Sequence, residues 1–171
     1  MLKLKGIKLS ILQEKYKVLG DLLSYEGPFF SHLANENNED FLMMWCDKDQ
    51  KYNRWVLYRT TFELLHDYFN GKISDVDLIQ NNPDGFVYFV DIDKAINWET
   101  ATLVPVEDIP ADYLPEKKAR FGADGFDPYA YRLKDYINLY FGRKNKLYPL
   151  PKEPAAAALH EPKGPKYKRK K

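Results

Sequence analysis

The fold is decided by two apolar runs in one stretch of sequence, FLMMWCDKDQKYNRWVLYR, at residues 41–59. The first run covers residues 41–46 and the second covers residues 54–59, with the polar segment DKDQKYN between them. Two strand-length apolar runs joined by a short polar connection are typical of a β-hairpin. The stretch therefore predicts two neighbouring antiparallel strands.

Both faces of the second run carry bulky side chains. Alternation along a strand places Trp55, Leu57 and Arg59 on one face and Arg54, Val56 and Tyr58 on the other. Bulk on both faces predicts a central strand that is covered, or nearly so, on both sides. Trp, Tyr and Arg are enriched at binding hot spots. We expect Trp45 and Trp55 to belong to the core, and Arg54 and Tyr58 to contact a partner protein.

Further strands are predicted on both sides of this hairpin. On its N-terminal side, residues 18–26 lead into a Gly27-Pro28 turn, and residues 29–34 form a short apolar run. On its C-terminal side, residues 86–93 and 101–106 are two more apolar segments of strand length. The series predicts a mostly antiparallel sheet.

Two short helices are predicted between these strands. Thr60 and Glu63 have the spacing of a capping box, and Gly71 stands where the first helix should end. Ser74 and Asp77 have the same spacing at the start of the second helix. Helices that interrupt an antiparallel sheet make the predicted fold class α+β.

The last predicted element is an aromatic helix at residues 128–141, with Asp127 as N-cap and Gly142 just past its end. Its apolar side chains spread around most of the circumference, which indicates burial on more than one side. The helix therefore lies in a groove of its own domain, or in a contact with a second copy or a partner. The second interpretation makes its tyrosines candidate protein-interaction residues: Tyr129, Tyr131, Tyr136 and Tyr140.

Charge divides the chain into three parts. Residues 1–17 carry a formal charge of +4, residues 18–142 carry −11, and residues 143–171 carry +8. The basic end also contains five prolines and few large apolar side chains, so we expect one domain at residues 1–142 and a flexible tail at residues 143–171. The tail either solubilises the chain, folds back onto the acidic body, is an addition made for expression, or binds nucleic acid. The candidate nucleic-acid-binding residues are Lys163, Lys166, Lys168, Arg169, Lys170 and Lys171.

The residues that usually carry catalysis form no recognisable motif. The three histidines and the single Cys46 have no metal-ligand spacing, and no phosphate-binding loop is present. Asp91 and Asp93 end an apolar strand on one face, which leaves a divalent-metal enzyme as a minor alternative. We therefore expect no cofactor and no metal site, and we favour a protein that is not an enzyme. The single cysteine excludes a disulfide-stapled secreted module, and the absence of a long apolar run predicts a cytoplasmic protein without a membrane span.

Residues 18–120 contain three segments that resemble a small bacterial domain family of unknown function. They are the strand YNRWVLYR at 52–59, the helix pair YFNGKISDVDLI at 68–79 and the segment LVPVEDIPADYLPE at 103–116. The resemblance covers about 60% of the chain and implies a fold module more than an activity. It supplies no catalytic residue.

Two functions remain open from the sequence. The first is a non-catalytic protein-interaction module, for example an accessory or antitoxin-like subunit of a bacterial complex, whose acidic body binds a basic partner or a second copy. The alternative is an accessory protein that associates with nucleic acid through the basic tail.

Overall fold

The computed structural model describes residues 1–9, 15–93, 98–122 and 125–145. Seven strands form one antiparallel sheet in the order β1-β7-β6-β5-β4-β3-β2. Their bounds are β1 Ile7–Leu9, β2 Tyr16–Ser24, β3 Pro28–Asn35, β4 Asp40–Lys48, β5 Tyr52–Arg59, β6 Phe86–Asp93 and β7 Trp98–Pro105. The helices are α1 Phe62–Phe69, α2 Asp75–Gln80 and α3 Pro128–Asn145, with short 3-10 helices at Val106–Asp108 and Ala111–Tyr113. The predicted α+β class and its mostly antiparallel sheet are confirmed.

The predicted hairpin forms the centre of this sheet. Strands β4 and β5 pair antiparallel, from Phe41 opposite Arg59 to Lys48 opposite Asn53, with one irregularity next to Trp45. Strand β5 has three strands on either side of it. The prediction of a central strand is therefore confirmed.

The sheet is curled rather than flat. Its two edge strands are β1 and β2, which only six residues connect, from Leu9 to Tyr16. Seven extended peptide steps reach at most about 25 Å. The edges of a flat seven-stranded sheet would lie about 29 Å apart, because strands are spaced by about 4.8 Å. The covalent link therefore requires the two edges to bend towards each other.

Apolar side chains are buried on both faces of the sheet. The larger cluster joins one face to all three helices, through buried residues such as Leu65, Ile79 and Leu133. The smaller cluster contains only strand residues: Leu33, Phe41, Met43, Leu57, Val90 and Ile92. The helices therefore pack their apolar faces against one side of the sheet, and the cleft described below lies on that side.

The structure corrects two helix ends and adds one strand. The N-cap of α1 is Thr61, whose hydroxyl accepts from the Leu64 amide, because the Thr60 amide is still bonded to the Asp40 carbonyl in the sheet. Helix α3 continues through Gly142, which lacks the left-handed conformation of a C′ residue, and so passes the boundary predicted at residue 142. Strand β1 was not predicted. The capping box of α2 and the positive φ of Gly71 agree with the sequence prediction.

Candidate functional site

A cleft of about 450 Å³ opens on the helix-bearing side of the sheet. Strands β2, β3 and β4 form its floor, and the first residue of α2 forms one end. Residues 112–120 together with Phe126, called the covering segment below, form the opposite wall. Its walls are mainly apolar. The lining residues are Leu23, Phe29, Met44, Trp45, Cys46, Asp75, Asp112, Tyr113, Leu114, Pro115, Glu116, Ala119, Arg120 and Phe126.

The covering segment is held in place from both ends. Tyr113 is buried against the ring of Phe89, with ring centroids 5.4 Å apart. Further along, the Ala119 carbonyl accepts from the Asp75 amide at 2.9 Å. Because Pro115 restricts the backbone between these two anchors, the segment has a defined path without forming regular secondary structure.

Cys46 on the floor of the cleft is a thiol, not a thiolate. Burial raises its pKa to about 12, although the positive charge of Arg54 acts in the opposite direction. Its Sγ donates a weak hydrogen bond to the Arg54 carbonyl at 3.4 Å. A thiol in this state is a poor nucleophile, since the thiolate is the reactive form. Cys46 therefore contributes apolar surface to the cleft.

Asp75 brings a buried carboxyl group to one end of the cleft. Its Oδ1 is buried, as are the hydroxyls of Tyr58 and Tyr68, and none of the three has a hydrogen-bond partner among the described residues. The Tyr68 hydroxyl is close enough to interact with the carboxyl, but the two do not have the geometry of a formed hydrogen bond. Burial raises the pKa of Asp75, and the Tyr68 hydroxyl opposes that shift. Buried polar atoms without partners are rare in folded proteins, so these three oxygens call for an explanation.

A hydrogen-bond network lies beside the cleft and holds Tyr113, one of its lining residues, in place. Arg54 holds both oxygens of Asp91, at 2.7 and 2.9 Å, and also donates to the Leu2 carbonyl and to the Tyr113 hydroxyl. That hydroxyl in turn donates to Asp47 at 2.9 Å. The network joins the N-terminal segment, three strands and the covering segment around one guanidinium.

A second network lies in the core near α3. The fully buried His32 contacts Asp40 through Nε2 at 2.7 Å and the Tyr129 hydroxyl through Nδ1 at 2.8 Å. A neutral ring with its proton on Nε2 satisfies both contacts, because it donates to Asp40 and accepts from Tyr129. The chain of Tyr, His and Asp has the order of a catalytic relay, but its histidine and tyrosine are inside the protein. It links β3, β4 and α3 structurally.

Three predicted interaction residues are buried. Tyr58 and Tyr129 are each 1% exposed, and Arg54 is 9% exposed and paired with Asp91. Arg54 and Tyr58 therefore lie inside the fold, on the face of β5 that the helices cover, and their contact with a partner protein stays a prediction. Trp45 and Trp55, which we expected in the core, are half-buried, and Trp55 packs against the smaller cluster on the opposite face.

The other three predicted interaction residues are half-buried on α3. Tyr131 donates to the Gly122 carbonyl at 3.0 Å and stacks near Phe121. Tyr136 and Tyr140 both contact the ring of Phe62 on α1. Their rings therefore pack against the same chain, and their role towards a partner stays a prediction. The predicted nucleic-acid-binding residues, Lys163 to Lys171, lie outside the described residues.

The acid pair considered as a metal site does not converge with other ligands in the described part of the chain. Asp91 is held by Arg54 and accepts from the Thr100 hydroxyl at 3.2 Å. Across residues 1–9, 15–93, 98–122 and 125–145, no three His, Cys, Asp or Glu side chains are grouped as a metal ion would need. In the same ranges, no helix has both the length and the apolar character to cross a bilayer.

No sequence motif identified the two parts of the chain that make the cleft. Asp75 is one residue of a short helix, and the residues that follow Pro110 match no helix or strand pattern and read as a loop. The signal was the unusual content of that loop, since a solvated loop rarely carries Tyr113, Leu114, Phe121 and Phe126 together.

Comparisons with known proteins give no match to a family model, to a curated protein or to a solved structure. The resemblance of residues 18–120 to a bacterial domain family therefore stays a prediction, and the function has to be argued from the cleft itself.

Proposed function

We propose that this protein is a non-catalytic protein-interaction module, for example an accessory or antitoxin-like subunit, and that the cleft receives a basic segment of a partner protein. The observation that carries the proposal is the cleft of about 450 Å³ between the sheet and the covering segment. Its volume falls within the usual range of binding pockets, roughly 300–1,000 Å³, and apolar walls with a few polar groups are typical of such sites.

Charge favours a basic partner. Residues 18–142 carry a formal charge of −11, and they include every residue that lines the cleft. Three of the lining residues are acidic, namely Asp75, Asp112 and Glu116, against the single cation Arg120 among the described lining residues. Complementary charge accelerates association and disfavours partners of the wrong sign.

The state of the reactive side chains supports binding rather than catalysis. The thiol of Cys46 is protonated and bonded to a carbonyl, and His32 is enclosed between Tyr129 and Asp40. A nucleophile needs a base within hydrogen-bond reach to be activated. Neither side chain offers such a pair to the cleft.

The test is co-purification at native expression level with a blocked cleft. Ala119→Trp places a large side chain among the lining residues, and Ala111→Trp makes the same change at an exposed position outside the lining. We expect a protein that co-purifies with the wild type and with Ala111→Trp, but not with Ala119→Trp, and that rebinds in fixed stoichiometry when purified. Retention of that protein by Ala119→Trp, or no co-purifying protein at all, would contradict the proposal. Urea unfolding of both variants establishes that they are folded.

A second candidate function follows from the sequence of the basic tail. Residues 143–171 contain ten Lys or Arg and two Glu, and Lys163 to Lys171 contain six of the ten. If this segment binds nucleic acid, affinity should fall steeply with salt and should disappear when residues 162–171 are deleted. Binding that does not change between about 50 and 200 mM salt would exclude this function.

A further inference from the structure

Aromatic rings form much of the wall of the cleft. Phe29, Trp45, Tyr113 and Phe126 all line it, from β3, β4 and the covering segment. The rings of Phe29 and Trp45 lie side by side, with centroids 5.9 Å apart and planes tilted by 41°. The face of an aromatic ring attracts a cation, and Trp does so most strongly. A wall of this kind suits a cation as well as an apolar chain.

Asp75 lines one end of the cleft and has a carboxyl oxygen to which no described residue donates a hydrogen bond. This oxygen, Oδ1, is buried, and the nearby hydroxyls of Tyr58 and Tyr68 also lack a formed hydrogen bond to the described residues. A buried carboxyl oxygen without a donor is costly, and a charged donor is its most favourable partner. A ligand group with N–H donors and a positive charge, bound where Asp75 lines the cleft, would supply that donor.

The cation among the described lining residues does not supply this group. The Arg120 guanidinium donates to the Gly71 carbonyl at 3.3 Å, in the turn between α1 and α2. Asp112 and Glu116 add two exposed carboxylates to the same covering segment. The lining therefore keeps an excess of negative charge around aromatic and aliphatic walls.

We propose that the cleft recognises an alkylammonium group of the kind that ends a lysine side chain, with the ammonium at Asp75 and the methylene chain between the aromatic rings. This inference rests on the proposed function and specifies the chemistry of the partner's anchor. The apolar stem of lysine suits the walls, and its ammonium brings three N–H donors to the carboxylate. A residue that is not basic would satisfy only one of these two surfaces.

The test uses two small probes that differ in charge but hardly in shape. Butylammonium reproduces the end of a lysine side chain, and butan-1-ol is its neutral counterpart. Both are titrated into the full chain while amide NMR shifts of the cleft residues, such as Glu116 and Ala119, are followed. We expect butylammonium to bind at least about tenfold more tightly than butan-1-ol, which corresponds to about 1.4 kcal/mol.

The variants separate the charge of Asp75 from the charge of the whole protein. Asp75→Asn should abolish the preference for butylammonium and leave the affinity for butan-1-ol unchanged. Asp135→Asn removes one negative charge from an exposed position on α3 outside the cleft, and it should bind both probes like the wild type.

Three results would overturn the inference. One is equal binding of the two probes, and another is an unchanged preference in Asp75→Asn. The third is a higher affinity for butylammonium after deletion of residues 162–171, which would make the chain's own lysines the occupant. None of these results touches the co-purification experiment, so loss of the partner from Ala119→Trp would still support the cleft as a docking site.

Discussion

Gly20 of β2 lies directly beneath the ring of Tyr129, near the start of α3. A Cβ at Gly20 would be 2.4 Å from two atoms of that ring, much closer than carbon atoms pack. The missing side chain lets α3 approach the sheet closely enough for the Tyr129 hydroxyl to reach His32. One glycine therefore sets the distance between the last helix and the edge of the sheet.

We expect Gly20→Ala to lower the free energy of unfolding by about 1–3 kcal/mol, because an added methyl forces the ring or the helix to move. Gly142→Ala is the matched control. Gly142 lies within α3, and a Cβ there would meet no atom within 4 Å. That variant should gain about 0.5–1 kcal/mol, since alanine favours a helix. Urea unfolding measures both, and equal effects of the same sign would contradict the packing described for Gly20.

We predict different changes in unfolding free energy when the hydroxyl is removed from each of two buried tyrosines. In Tyr129→Phe the Nδ1 of His32 loses its partner, so we expect a loss of about 1–3 kcal/mol in unfolding free energy. In Tyr58→Phe the hydroxyl removed has no partner among the described residues, so we expect a change below about 0.5 kcal/mol or a gain. Thermal or urea unfolding of both variants checks this, and a larger loss for Tyr58→Phe would show that its hydroxyl is hydrogen-bonded.

Single residues show why the site was harder to predict than the fold. The alternation around Tyr58 was read correctly, but alternation does not say which face the helices cover. The sequence therefore did not show that Arg54 and Tyr58 are buried and that Trp45 and Trp55 are only half-buried. The surroundings of Asp75 depend on the packing of Tyr58 and Tyr68 from other elements, and no local sequence pattern predicts that packing.

At the scale of elements, turn and cap chemistry was the reliable guide. Ser74 and Asp77 form both bonds of the capping box in α2, at 3.2 and 2.9 Å. The end of β5 is less clear from sequence, because Thr60 and Thr61 are both good caps. Only the bond from the Thr60 amide to the Asp40 carbonyl assigns Thr60 to the sheet. Strand β1 has three residues and therefore shows no periodicity.

The cap assignment can be tested with the two threonines. Thr61→Ala removes the hydroxyl that accepts from the Leu64 amide at 3.2 Å, and should lower the unfolding free energy by about 1 kcal/mol. Thr60→Val keeps the shape of a buried side chain whose hydroxyl has no partner among the described residues. This variant should change the unfolding free energy by less than about 0.5 kcal/mol. If Thr60→Val were the more costly change, the helix would begin one residue earlier than the structure places it.

At the scale of the whole molecule, the guanidinium of Arg54 connects parts that are distant in sequence. The side chains of Arg54 and Asp91 are only 11% and 15% exposed, so the pair is largely removed from water. Arg54 also binds the N-terminal segment through Leu2 and the covering segment through Tyr113. The N-terminal segment and the wall of the cleft are therefore both bonded to the centre of the sheet through one side chain.

Arg54→Met should lower the unfolding free energy by about 3–5 kcal/mol, because it leaves the Asp91 carboxylate buried without its partner. The double variant Arg54→Met/Asp91→Leu removes both charges and should be more stable than Arg54→Met alone. Urea unfolding of the two single variants and the double variant forms a thermodynamic cycle. Strictly additive losses would show that the two side chains do not stabilise each other.

The pH dependence of stability reports on the carboxyl group at the end of the cleft. Burial raises the pKa of Asp75 in the folded protein above its value in the unfolded chain, which is about 3.9. Below that value both states bind the proton, so Asp75 contributes no difference. As the pH rises through the interval between the two pKa values, only the unfolded chain releases the proton, and the folded state loses stability.

Asp75→Asn lacks this loss because asparagine does not ionise. Its unfolding free energy relative to wild type should therefore increase as the pH is raised from about 4 towards neutrality. Urea unfolding at several pH values measures the difference, and Asp135→Asn on the exposed side of α3 controls for the change in net charge. A difference between Asp75→Asn and wild type that stayed constant with pH would mean that the carboxyl is already paired. The cleft would then have no unused acceptor for a ligand's ammonium group.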